Sequence, residues 1–247
     1  MKILKALAVI LTFTIYTSCD TLEGALGNMG GGPLTNEEVV RGLKTALEVG
    51  TDTAVKRLNA TDGYLKDLAI KILLPPEAQN IITYASKIPG GQALVDKTIT
   101  AINRAAEDAA NEAAPIFSNA ITKMSITDAF GILRGNDTSA TNYLRRTTFT
   151  ELHGAFQPKI NTSLSKPLVF NTSAEKLYGD LVNTYNTASL GGTLFPKITN
   201  TSLSSYVTGK ALDGLFKKIA VEEKLIREDP VHRVTTILRR VFGNQQY

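Results

Sequence analysis

Apolar residues recur at three- and four-residue intervals in one segment after another of this 247-residue chain, and no period-two run stands out. That spacing places the apolar side chains on one stripe of a helix, so the chain can bury them only by packing helix on helix. The first such series is Val39, Leu43, Leu47, Gly50, Ala54 and Leu58, preceded by Thr35-Asn36-Glu37-Glu38. Thr and Glu at that separation form a capping box, whose side chains satisfy otherwise orphaned amides of the first turn. A second series, Leu65, Leu68, Ile72 and Leu73, predicts another helical turn or two before Pro75-Pro76 stops it. Pro76 is placed to open a short helix, since proline is tolerated at the first helical position.

Further starts and stops follow the same logic. Pro89-Gly90-Gly91 marks a turn, and Gln92 to about Met124 reads as the longest helix, Ala-rich in its middle and kinked at Pro115. Ser125 with Asp128 opens Ile126–Leu133, closed by Gly135, and Asp137 or Thr138 starts a helix through Tyr143, Leu144 and Leu152. Thr172-Ser173-Ala174-Glu175 forms another box ahead of Leu177, Leu181 and Tyr185. Ser202 to Arg227 carries Val207, Leu212, Leu215, Phe216, Ile219 and Ile226. Asp229-Pro230 then precedes a last helix lined by Val234, Ile237, Leu238 and Val241, with Gly243 at its end. Leu168-Val169-Phe170 is the single β-looking run. The expected fold is therefore all-α, one bundle-like domain of about nine helices over residues 35–247. Phe156 to Ser165 echoes Phe195 to Ser204, both reading Pro-Lys-Ile and then Thr-Ser-Leu-Ser. Two similar turns account for it better than a duplication, because the flanking segments differ.

The N-terminus carries an address. Lys2 and Lys5 precede an apolar run from Ala6 to Tyr16, which ends on Thr17-Ser18-Cys19. The run is shorter than the ~20 residues that span a bilayer and has the size and charge order of a secretory signal. Cys19 is the one cysteine in the chain. A lipoprotein signal is preferred over plain secretion or an uncleaved anchor, with residues 1–18 removed and Cys19 lipid-modified. Residues 19–34, with five glycines, read as a flexible tether rather than a phosphate loop, because no Gly-Lys-Ser/Thr follows. The expected location is the cell envelope, facing the periplasm from the outer membrane, with the lipid as the membrane contact. A lone cysteine also excludes an intramolecular disulfide framework.

Composition narrows function by exclusion. The 43% apolar and 20% charged fractions are those of an ordinary globular protein. The net charge of +4 falls to about +2 without Lys2 and Lys5, and no Lys/Arg cluster marks a nucleic-acid face. His153 and His232 lack a second His or Cys at ligand spacing, so no metal site is expected and each reads as a surface or helix-end residue. No catalytic elbow or cofactor motif occurs, and no cofactor is expected. Glu107, Asp108 and Glu112 read as a solvated helix face. The cluster Asp213, Glu222, Glu223, Arg227, Asp229 and Arg233 is more suggestive. Asp213 sits in an apolar segment and must be paired or face a cleft, and Arg145 or Arg146 could answer it. Glu223 and Arg227 are an i,i+4 pair and Asp229 a cap. A buried structural ion-pair network is preferred over a ligand site, for which Asp213, Glu222, Arg227, Arg145 and Arg146 are the weak candidates.

Those same residues carry a resemblance. Ala211-Leu212-Asp213-Gly214-Leu215-Phe216, Glu222-Glu223, Ile226-Arg227, Asp229-Pro230, Arg233 and Val241-Phe242-Gly243 resemble the C-terminal signature of a bacterial family catalogued as domain of unknown function 4197. Thr127-Asp128-Ala129, Ile132-Leu133 and Asp137 through Ala140-Thr141 to Tyr143-Leu144 are similar to it as well. The resemblance runs from about Leu34 to Gly243. It implies an exported, helical envelope protein and supplies neither an activity nor catalytic residues. Three classes of function stay open: a membrane-tethered interaction or scaffold module with an envelope partner, a carrier or sensor of an apolar ligand held between helices, and an enzyme using Asp, Glu and Arg.

Overall fold

The computed structural model describes residues 34–199 and 202–243. The signal, Cys19 and the Gly-rich tether up to residue 33 lie outside them. From Asn36 onward the chain makes one compact unit, built from helices α1 (Asn36–Asn59), α2 (Gln79–Tyr84), α3 (Gly91–Ala109), α4 (Ala113–Thr122), α5 (Ile126–Leu133), α6 (Ser139–Ser165), α7 (Ala174–Ala188), α8 (Ser204–Glu228) and α9 (Thr236–Gly243). The all-α expectation holds: among the described residues the one β feature is an isolated bridge between Val169 and Thr172. Positive φ at Phe170 and Asn171 makes it a tight turn.

Helix α8 lies between α6 and α1, while α3 bridges α6 and α7, α4 rests on α1 and α6, and α9 closes over α1. The apolar stripes read from sequence meet at these contacts: Leu43, Leu58, Leu152, Val207, Leu212 and Leu215 are at most 2% exposed. Two glycines let elements approach. A Cβ at Gly42 would lie 2.4 Å from Val241 Cγ2, and one at Gly214 would lie 2.8 Å from the Tyr64 ring.

Several local expectations are corrected. Gln92 to Met124 is two helices, α3 and α4, separated by a 3-10 turn at Ala110–Glu112. Pro115 is the cause, because a proline ring clashes with the carbonyl four residues earlier, here Asn111. The longest helix is instead α6, 27 residues with Pro158 inside it. The N-cap of α7 is Ser173, one residue after the expected Thr172, and its side chain accepts from the Lys176 N–H. Asp229 caps a separate 3-10 turn, Pro230–His232, so α9 starts afresh at Thr236 and Val234 is 61% exposed rather than buried. The two echoed segments adopt different conformations, so they are not similar turns: Phe156–Ser165 forms the last turns of α6, whereas Phe195–Ile198 is irregular.

The largest correction is the stretch after α1, which is not helical. Leu68 and Leu73 are 89% and 45% exposed, and Tyr64, Ile70, Ile72 and Leu74 are buried instead. Ile70, Ile72 and Leu74 alternate with Lys71 and Leu73, the period of an extended strand. Among the described residues no strand flanks this segment; the side chain of Asn103 on α3 takes that place. Its amide accepts the Ile72 N–H at 2.9 Å and donates to the Ile72 carbonyl at 2.8 Å. Asn186 on α7 does the same for the irregular segment at Ile198, at 3.0 and 2.9 Å. That second segment also seats Phe195 on Tyr84, with ring centroids 4.5 Å apart, and against Tyr185.

The Tyr185 hydroxyl is buried there without a hydrogen-bond partner among the described residues. An unmet buried hydroxyl costs about 1–3 kcal/mol. Tyr185→Phe, which keeps the ring contacts, is therefore expected to stabilise the fold by about 1 kcal/mol. Urea unfolding checks this, and a lowered midpoint would show that the hydroxyl has an unseen partner.

Candidate functional site

The charged residues of the C-terminal third divide into three groups with different work. The first is at the centre. Glu223 and Arg227 on α8 have side chains only 6% and 13% exposed and pair at 2.9 Å. Glu223 accepts the backbone N–H of Ala140 at 2.9 Å and of Thr141 at 2.8 Å, together with the Thr141 hydroxyl. Those amides belong to the first turn of α6, whose own N-cap, Thr138, supplies no side-chain bond. A carboxylate at a helix N-terminus meets both orphaned amides and the positive end of the helix dipole. Arg227 works at the opposite pole, donating to the Ile132 carbonyl at 2.9 Å at the C-terminal end of α5. Arg233, also buried, donates to the Ile226 and Arg227 carbonyls at 3.1 and 2.7 Å and so closes the end of α8. One ion pair and one arginine therefore terminate three helices.

The second group is peripheral. Glu222 is buried and pairs with the half-exposed Arg57 of α1. Asp229 accepts the Val231 N–H at 2.9 Å and meets His232 Nδ1 at 2.9 Å. The Val231 N–H first, and then His232, hold its carboxyl below the ordinary aspartate range.

The third group is Asp213 and its neighbours. Arg145 answers Asp213 at 3.0 Å, as the sequence suggested, but in the open, with side chains 48% and 57% exposed. The buried network expected there is absent for this pair. The Arg145 guanidinium also lies over the Phe216 and Phe149 rings, 5.2 and 5.6 Å from their centroids. Arg146 does not join it and lies over Tyr143. Asp213 does face a cleft, a surface groove of about 580 Å³ between α8 and the extended segment at Ile70–Leu73, with Lys71, Lys210 and Lys217 around it. A second open cleft, of about 570 Å³, has Arg134, Asp137 and Glu228 beside Arg227 and Arg233.

The cavity between α1 and α8 beside Glu223 and Arg227 holds about 20 Å³. That accommodates a single water, whereas drug-sized ligands need sites of about 300–1,000 Å³.

The solvated face expected at Glu107, Asp108 and Glu112 is also corrected. Glu107 is 3% exposed and accepts the Tyr64 and Leu65 N–H groups at 3.1 and 3.2 Å, while Arg104 pairs with it at 2.5 Å. Arg104 continues to Asp62 at 2.7 Å, and Lys66 then Arg104 hold the Asp62 carboxyl below its ordinary range. Tyr64, positioned this way, donates to the Ala211 carbonyl at 2.8 Å beneath Gly214. Asp108 accepts from Ser163, and both Asp108 and Glu112 are half-exposed beside Lys159, at 3.5 and 3.9 Å. The lysines of the groove carry no sequence signal that singles them out. Asn103 carries one: an amide among Ile99, Ile102 and Ala106 on an apolar helix face. His153 is half-buried within α6 rather than at a helix end, and among the described residues no group of His, Cys, Asp and Glu could hold a metal ion. No described helix is long and apolar enough to cross a membrane.

The model of a family described as protein of unknown function (DUF4197) matches residues 33–243. No curated protein and no solved structure matches the chain.

Proposed function

The chain belongs to the DUF4197 family of proteins of unknown function, and from that premise we propose that it is a non-enzymatic interaction module of the bacterial cell envelope, tethered to the membrane by lipid on Cys19. The observation that carries this reading is how the charged cluster is used. Glu223, Arg227 and Arg233 are engaged with backbone groups at three helix ends. Groups bound in that way hold the scaffold in shape and have little capacity left for moving protons or gripping a substrate. What remains accessible is surface: open clefts carrying charge, and single apolar side chains such as Leu68 and Val231. The 20 Å³ cavity does not favour a carrier that encloses an apolar ligand. The apolar run, the small residues and Cys19 support the lipid address, and the five glycines of residues 19–34 support a tether that lets the domain search beside the membrane.

In-cell crosslinking of the full chain, expressed at its native level, tests the reading. The expected result is repeated recovery of one envelope protein, together with labelled-palmitate incorporation that a Cys19→Ala variant loses. Repeated failure to recover any partner would sink the interaction reading. Label retained by Cys19→Ala would sink the address.

A further inference from the structure

We propose that the groove between α8 and the extended segment Ile70–Leu74 is a docking edge for an extended, acidic peptide segment of a partner protein. This deepens the interaction-module reading and rests on it.

The segment is built like a strand with one neighbour missing. On its inner side, Ile72 exchanges both backbone groups with the Asn103 amide. Pleating turns the backbone groups of the next residue the opposite way. Among the described residues, no hydrogen bond engages the N–H or the carbonyl of Leu73. Leu73 is 45% exposed and lines the groove. An incoming extended chain can pair with both groups at once, the geometry of β-strand addition, in which main-chain bonds supply affinity and alternate side chains supply specificity. Open strand edges are usually blunted or covered, and this one is short enough not to recruit sheets indiscriminately.

Charge selects the partner. The groove has Lys71, Lys210 and Lys217 around it and one carboxylate, Asp213, which Arg145 already engages at 3.0 Å. Lys217 donates to the Ala69 carbonyl at 3.1 Å, and the Lys210 ammonium lies 5.9 Å from the Tyr206 ring centroid. Neither contact neutralises the ammonium, so the groove is cationic. An extended peptide with carboxylates at alternate positions would meet Lys71 and Lys210 with the same side chains that flank its paired residue. The inner side of the segment is already satisfied and its ends are fixed by Pro75 and by the turn at Asp67, where Lys218 pairs with the carboxylate. The edge is therefore preorganised, which limits the ordering cost of binding.

The test uses the full chain purified in detergent and a fluorescein-labelled peptide of alternating Glu and Val, read by fluorescence anisotropy. The native chain should bind it, and binding should weaken as salt rises. Leu73→Pro deletes the outward N–H, which has no partner in the fold, and should weaken binding about tenfold, or about 1.4 kcal/mol. The double variant Lys71→Glu with Lys210→Glu, at one half-buried and one exposed position, should weaken it at least as much while the thermal midpoint stays near that of the native chain. No binding by the native chain, unchanged affinity in both variants, equal binding of an alternating Lys-Val peptide, or capture of phosphatidylglycerol vesicles in place of the peptide would each overturn the proposal. If the in-cell crosslinked partner survives all these variants, the groove proposal fails while the interaction-module reading stands. If no partner is recovered at all, both fail.

Discussion

Glu223→Ala is expected to remove about 3–5 kcal/mol of stability, since breaking a buried, hydrogen-bonded pair leaves an uncompensated charge behind. Three losses coincide. The Ala140 and Thr141 amides lose their acceptor at the start of α6, the Thr141 hydroxyl loses its own, and Arg227 is left facing Ile132 with no counter-charge. For a domain of this size the melting temperature should fall by about 2–4 °C per kcal/mol. Hydrogen exchange should show the Ala140 and Thr141 amides losing protection before the body of α6 does. Glu223→Gln keeps one carbonyl acceptor and should cost clearly less. The exposed Arg145–Asp213 pair is the internal comparison: removing either partner should change stability by about 0–1 kcal/mol, because water already screens it. An unfolding midpoint for Glu223→Ala no lower than that of Asp213→Ala would show that the buried pair is not what holds α5, α6 and α8 together.

Glu107→Ala should have a comparable effect of about 3–5 kcal/mol, by a different route. Its carboxylate accepts the Tyr64 and Leu65 amides, and each buried amide left unmet costs about 1–3 kcal/mol. Arg104 loses one of its two carboxylate partners and keeps Asp62. The damage should spread along the 60–74 segment: Tyr64 loses the fix that aims it at the Ala211 carbonyl, and the extended run docked on Asn103 loses its anchor upstream. Glu107→Gln retains an acceptor for the two amides and should recover most of the loss. Equilibrium urea unfolding measures the total, and exchange at Tyr64, Leu65 and Ile72 locates it. A cost below about 0.5 kcal/mol would return Glu107 to the status of a solvated surface acid.

Both residues illustrate which parts of the candidate site the linear chain reveals. The Glu223–Arg227 pair is legible as i,i+4 on one helix. Its targets are not: Ala140 and Thr141 lie more than eighty residues away, and nothing local says that α6 lacks a cap of its own. Glu107 shares its stretch with Asp108 and Glu112, and three acids in an Ala-rich helix read as a wet face. Only the fold lays residues 59–65 across that helix and seals one acid while leaving the other two half-exposed. Asp213 is the converse case. Its partner Arg145 was foreseeable, but an aspartate among Leu212, Leu215 and Phe216 suggested burial, and the helix turns it outward to the groove.

Most of the helices are local matters, legible in the order of the residues. Spacing of three and four, Ser125 with Asp128 as a capping box, Pro76 at a helix start and Asp229 before Pro230 all act within a few residues, where propensity and capping energies are felt directly. Whatever depends on a partner distant in the chain is settled by packing instead. The shared Pro-Lys-Ile and Thr-Ser-Leu-Ser residues are helix in α6, where Phe156, Ile160 and Leu164 find a core. After Phe195 the same pattern starts irregular, where Tyr84 and Asn186 hold it. Leu65 to Leu73 has a helical pattern and becomes a run of turns to Ile70 and then an extended edge, because Asn103 offers the Ile72 backbone the bonds of a missing strand. A short segment's own preferences amount to a few tenths of a kcal/mol per residue, and a buried amide pair or a filled core site outweighs them.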